Sequence, residues 1–160
     1  MIDLEVEDPA WTEALPQAEM LARGAALMAL DKEGAAHESI TILLTDDESV
    51  RELNARFREK DAPTNVLSFP APDNRERFLG DIALAYGVCA REAAEQGKTL
   101  AQHLQHLTVH GVLHLLGYDH IGDDEAEVME DLERAVLADL GVPDPYGAGE
   151  GEHERPRPSQ

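Results

Sequence analysis

The chain has 160 residues, 42% of them apolar and 4% aromatic, with a net charge of −20. That length fits one domain whose interior must be filled by Leu, Val, Ile and Ala, and no apolar run reaches membrane-spanning length. So large an excess of acid argues against general nucleic-acid binding, because neutralising phosphates needs Lys and Arg.

The segment Ile2-Asp-Leu-Glu-Val6 alternates apolar and acidic residues, the pattern of an amphipathic strand. From about Trp11 to Leu30 the period becomes helical, with Leu15, Met20, Leu21, Leu27 and Met28 as core candidates. Residues 38–45 are β-branched and apolar, so they form a buried strand. Thr45-Asp-Asp-Glu48 has the spacing of a capping box and opens a helix to about Phe57. On it Arg51, Asn54 and Arg58 share one face, and Val50, Leu53 and Phe57 another. With Lys60 these residues give a locally basic patch on an acidic chain, which qualifies the exclusion of nucleic acid.

A turn at 61–64 leads to a short strand over 65–69, ended by Pro70. A polar loop follows, then a strand over 79–86 and a helix over 87–96 that stops at Gly97. A longer helix from Lys98 or Thr99 to about Leu116 carries His103, His106, His110 and His114 within about a quarter of its circumference. Asp123 opens the last helix, where Met129, Leu132, Val136 and Leu140 mark the buried stripe and the acids read as a solvated face. Beyond Pro145 little remains to bury. The expected organisation is one hydrolase-sized domain over 1–146 and a disordered acidic, Pro-containing tail over 147–160. The element order gives an α/β (α+β) fold: a small mixed four-stranded sheet covered by about five helices. The one cysteine, Cys89, is expected in the core. With neither a basic nor an apolar leader at the N-terminus, the chain reads as cytoplasmic.

The segment His110-Gly-Val-Leu-His114-Leu-Leu-Gly-Tyr-Asp-His120 concentrates the chemistry. Residues four apart on a helix lie one turn above each other, so His110 and His114 converge. Gly117 can adopt the left-handed conformation that ends a helix, letting the chain turn back and bring His120 to the open side of the pair. Three neutral imidazoles suit one Zn2+ per chain and leave a position for water, the arrangement of a hydrolytic centre. The metalloprotease motif H-E-x-x-H places its general base directly after the first His. Here that position is Gly111, which removes the base and leaves room beside the metal.

The same segment matches, at every defined position, the H-G-x-L-H-L-x-G-Y-D-H signature of the YbeY family of bacterial endoribonucleases. Phe57 to Pro70 (FREKDAPTNVLSFP) and Leu79-Gly-Asp-Ile82 resemble that family's other conserved stretches, and the likeness spans about residues 1–146. Glu59 and Asn65 depart from it, standing where Gly is usual and Asp is common. The resemblance implies a zincin-like fold and a zinc-dependent, single-strand-specific endoribonuclease. It further implies a part in maturation of the 16S rRNA 3′ end, in ribosome quality control, and in contacts with the small ribosomal subunit and its proteins. No DNA or membrane partner is implied. Carried over, His110, His114 and His120 correspond to the metal ligands and Arg58 to the catalytic arginine.

Around these, Asp81, Asp119 and His106 are candidates to orient the ligands, and Lys60 and Arg51 to meet RNA phosphates. His103 is expected near solvent. Two other readings stand beside this one. A zincin-like peptidase or amidase would need a carboxylate by the metal. A ribosome-assembly factor with a structural metal would need a fourth ligand such as Asp119 or His106.

Overall fold

The computed structural model describes residues 1–58, 64–72, 74–75, 77–118 and 122–146, the side chain of Arg58 excepted. The expected tail lies outside the described residues. Among the described residues, four strands and six helices follow in chain order: β1 (Ile2–Val6), α1 (Ala10–Ala14), α2 (Ala18–Lys32), β2 (Ser39–Thr45), α3 (Asp47–Arg58), β3 (Val66–Pro70), β4 (Phe78–Ala85), α4 (Tyr86–Gln96), α5 (Leu100–Leu115) and α6 (Asp123–Asp139).

The sheet order is β1-β2-β4-β3. β1, β2 and β4 run parallel, and β3 pairs antiparallel with β4 at the edge. Leu4, Ile42 and Ile82 lie side by side on one face, which α2, α5 and α6 help bury. Asp3, Thr41, Asp81 and Phe69 line up on the other. α3 covers part of that second face through Val50, against Leu67, Ala83 and Ala85. The expected mixed four-stranded α/β architecture is therefore present, with one helix more than expected.

The extra helix comes from Pro16. It lacks an N–H and pushes the preceding residue out of helical space, and Leu15 sits at φ −142°, ψ 87° between α1 and α2. Trp11 of α1 is wholly buried, and its indole N–H donates to the Thr45 carbonyl at 3.0 Å. Met20 and Leu27, expected in the core, are exposed; small alanines at 18, 22, 25, 26 and 29 form the inner face of α2 instead. The α3 cap also differs. Asp46, not Thr45, accepts the Ser49 N–H at 2.7 Å, because Thr45 is still engaged in the sheet opposite Ala85. Asn54 is buried, whereas Phe57, expected beside Val50, is 60% exposed. Cys89 lies in the core as expected, where burial first and the nearby Glu92 and Asp47 second push its thiol pKa well up. Among the described residues no helix is long and apolar enough to cross a membrane.

Candidate metal centre

Everything at the centre hangs on α5. Thr99 caps it: its hydroxyl accepts the Gln102 N–H at 3.0 Å, and the Gln102 side chain accepts the Thr99 N–H at 3.2 Å. The other end closes at Gly117, whose φ of 104° favours glycine. There the Gly117 N–H reaches the His114 carbonyl and the Tyr118 N–H reaches the Leu113 carbonyl, the paired bonds of a left-handed helix stop. Tyr118 then donates its hydroxyl to Glu33 at 2.7 Å, tying the chain leaving α5 to the end of α2. That bond, helped by partial burial, raises the Tyr118 pKa. The left-handed helix stop expected at Gly117 is therefore present. His120 and Asp119 lie outside the described residues.

His110 and His114 do lie one above the other, with ring centroids 4.6 Å apart and the rings near perpendicular. What orients His110 is Glu133 of α6, a fully buried carboxylate that the acid-rich sequence of that helix conceals. The His110 Nδ1–H donates to Glu133 Oε2 at 2.6 Å. This fixes the tautomer with the proton on Nδ1. Glu133 also receives His106 Nε2 at 3.1 Å and the Tyr146 hydroxyl. Burial alone would raise the Glu133 pKa; the His106 and His110 hydrogen bonds outweigh it and hold the carboxyl below its ordinary range. Burial, followed by the Glu133 charge, pushes the Tyr146 hydroxyl far up, so it remains a donor.

His106 behaves as a support for this carboxylate. Burial dominates its surroundings and lowers its pKa, favouring the neutral ring. Its Nε2 also lies 3.2 Å from Tyr146 Oη, so the nitrogen that would otherwise ligate is occupied. His103 is a correction: it is buried, not near solvent, and its Nε2 meets Glu92 Oε1 at 2.9 Å. Asn65 Nδ2 donates to the same oxygen at 3.0 Å, so the start of β3, α4 and α5 meet at one carboxylate. Burial tends to raise the Glu92 pKa, but these two partners carry it below the ordinary value.

Two other expectations change. Asp81 faces away from α5, and so from His110 and His114: it lies between Thr41 and Phe69, while its neighbour Ile82 faces that helix. Burial first and Glu5 second raise the Asp81 pKa. Gly111 does not leave open room. A Cβ there would stand 2.9 Å from Ile82 Cγ2, so the glycine lets α5 press on β4. Ser68 of β3 seals this contact by donating to the Gly111 carbonyl at 3.2 Å. Arg51 is engaged with Glu48 at 2.7 Å. Arg58 ends α3, but its side chain and all of Lys60 lie outside the described residues. Among the described residues no three metal-ligating side chains converge, since only two members of the His110–His114–His120 set are included.

Residues 5–141 match the family model described as endoribonuclease YbeY. The chain is 53% identical over 142 residues to an endoribonuclease YbeY of Rhodopseudomonas palustris, covering 81% of this chain and 75% of that one. It is 50% identical over 157 residues to the endoribonuclease YbeY of Paramagnetospirillum magneticum, covering 91% and 95%. Its fold is similar to a solution structure of a Thermotoga maritima protein, with a TM-score of 0.55 at 22% identity over 95% of this chain and 99% of the other.

Proposed function

This chain belongs to the YbeY family of endoribonucleases, and from that premise we propose that it is a zinc-dependent, single-strand-specific endoribonuclease acting in 16S rRNA 3′-end maturation and ribosome quality control. As an endoribonuclease it is a hydrolase of RNA phosphodiester bonds. The observation that carries the zinc reading is the buried Glu133–His110 hydrogen bond of 2.6 Å, with His114 one turn further on. A carboxylate that fixes the tautomer of a buried histidine is a recurrent support for a metal ligand, and imidazole suits zinc. His110, His114 and His120 would hold the ion. Bound there, zinc would supply a Lewis acid and a water whose pKa falls to about 7.

The remaining chemistry belongs to the chain. Glu133 keeps the His110 lone pair aimed at one point, and the three donors around this carboxylate keep it ionised. Arg58 at the end of α3 would offer two parallel hydrogen bonds to the non-bridging phosphate oxygens, where charge grows as the bond breaks. Arg51 and Lys60 would add positive potential along the approach. Basic proteins of the small ribosomal subunit would complement the acidic remainder of the surface and supply affinity that RNA contacts alone lack.

His114→Ala and Arg58→Glu should each reduce cleavage of single-stranded RNA by at least a hundredfold while circular dichroism and thermal midpoint stay near those of the parent. Cleavage by both purified variants at the parental rate would overturn the assignment.

A further inference from the structure

Phe57 stands in the last turn of α3, one residue before Arg58, with 60% of its surface exposed. A lone exposed apolar side chain is ordinary, but this ring has a particular setting. Its edge meets the Phe69 ring at a centroid distance of 5.5 Å and an interplanar angle of 64°. The Arg56 guanidinium carbon lies 5.7 Å from its centroid. Phe69 in turn follows Ser68, whose hydroxyl binds the Gly111 carbonyl between His110 and His114. An exposed aromatic ring, braced by a second ring and flanked by a cation, thus sits against the edge strand, on the face of the sheet opposite the histidine helix.

That combination suits one class of ligand. Unpaired nucleobases present bare π-faces that stack on exposed aromatic rings, whereas bases inside a duplex already stack on each other. Arginine next to such a ring can add a cation–π contact or meet the adjoining phosphate. On a chain with net charge −20, a cation beside an exposed ring favours an anionic partner. We propose that Phe57, backed by Phe69, is a stacking platform for an unpaired nucleobase of the RNA substrate, with Arg56 gripping the same nucleotide. The inference rests on the endoribonuclease reading above and deepens it. It gives single-strand preference a physical origin, since a paired base cannot be offered to the ring. It also implies weak sequence preference at that nucleotide, because every base has a π-face and a phenyl ring reads no base edge.

Steady-state kinetics on a short single-stranded RNA test this with the zinc-loaded protein. Phe57→Leu keeps apolar bulk and removes the π-face, while Phe57→Trp enlarges it. Loss of one stacked base corresponds to about 5- to 150-fold in affinity. Phe57→Leu should therefore raise KM within that range with little change in kcat, and Phe57→Trp should hold KM at or below the parental value. An RNA with an abasic nucleotide at the stacked position should raise KM for the parent and add nothing further for Phe57→Leu. Zinc content and thermal midpoint should not differ between the variants. A Phe57→Leu protein that matches a parent active on RNA, or abasic losses that add fully at every position, would overturn the platform alone. A zinc-loaded parent that neither binds nor cleaves RNA would overturn the activity and the platform together.

Discussion

At the residue scale, the site depends on how Glu133 is held. It is a carboxylate without solvent, so its charge persists only because His110, His106 and Tyr146 surround it with donors. The placing of His110 one turn from His114 was legible from spacing; this partner was not. Its position, four residues after Met129 and three before Val136, lies on the buried stripe of α6. The surrounding acids Asp131 and Glu130 made it look like one more solvated charge. The stripe itself was the signal, since an acid among buried positions must have partners. His103 was misplaced for the same reason, its partner Glu92 lying on a different helix. Glu133→Gln preserves shape but removes the charge, and it should weaken zinc binding about 10- to 100-fold in competition with a chelating dye. Unchanged zinc affinity would show that Glu133 serves packing alone.

At the element scale, α5 is the framework. It is buried along most of its length, held by the capping box at Thr99 and stopped by Gly117. Both ends were legible because they depend on local chemistry. The role of Gly111 was not legible, because it depends on Ile82 some thirty residues earlier in the chain. Spacing suggested free space; the packing shows the opposite. Gly111→Ala would force Ile82 or the helix to shift and should cost about 1–3 kcal/mol, seen as a lower thermal midpoint of the metal-free protein. Thr99→Ala should cost about 1 kcal/mol by loss of the cap. An unaltered midpoint for Gly111→Ala would mean that the β4 contact yields freely. The break between α1 and α2 at Pro16 was missed in a stretch read as one helix, and the alternation of small and large residues on α2 hid which face was buried. Alanine there packs inward, leaving Met20 and Leu27 outside.

At the scale of the whole molecule, a small mixed four-stranded sheet followed from the element order, since parallel neighbours need helical crossovers, but the strand order β1-β2-β4-β3 did not. The choice of face for Asp81 and Phe69 did not, because strand alternation fixes faces only once one partner is placed. The net charge of −20 sits poorly with an RNA substrate, and the cations at the end of α3 must act locally. Binding of single-stranded RNA should therefore be weak and should weaken further as salt rises from 50 to 200 mM, a range over which even a few phosphate contacts give a measurable slope. Affinity indifferent to salt would remove the cationic patch from the account.

The most direct test of the central claim is cleavage of single-stranded RNA before metal removal, after it, and after return of one zinc equivalent per chain. Activity should disappear with the metal, return with zinc in the parent, and fail to return in His114→Ala. Full cleavage by the metal-free parent would contradict it.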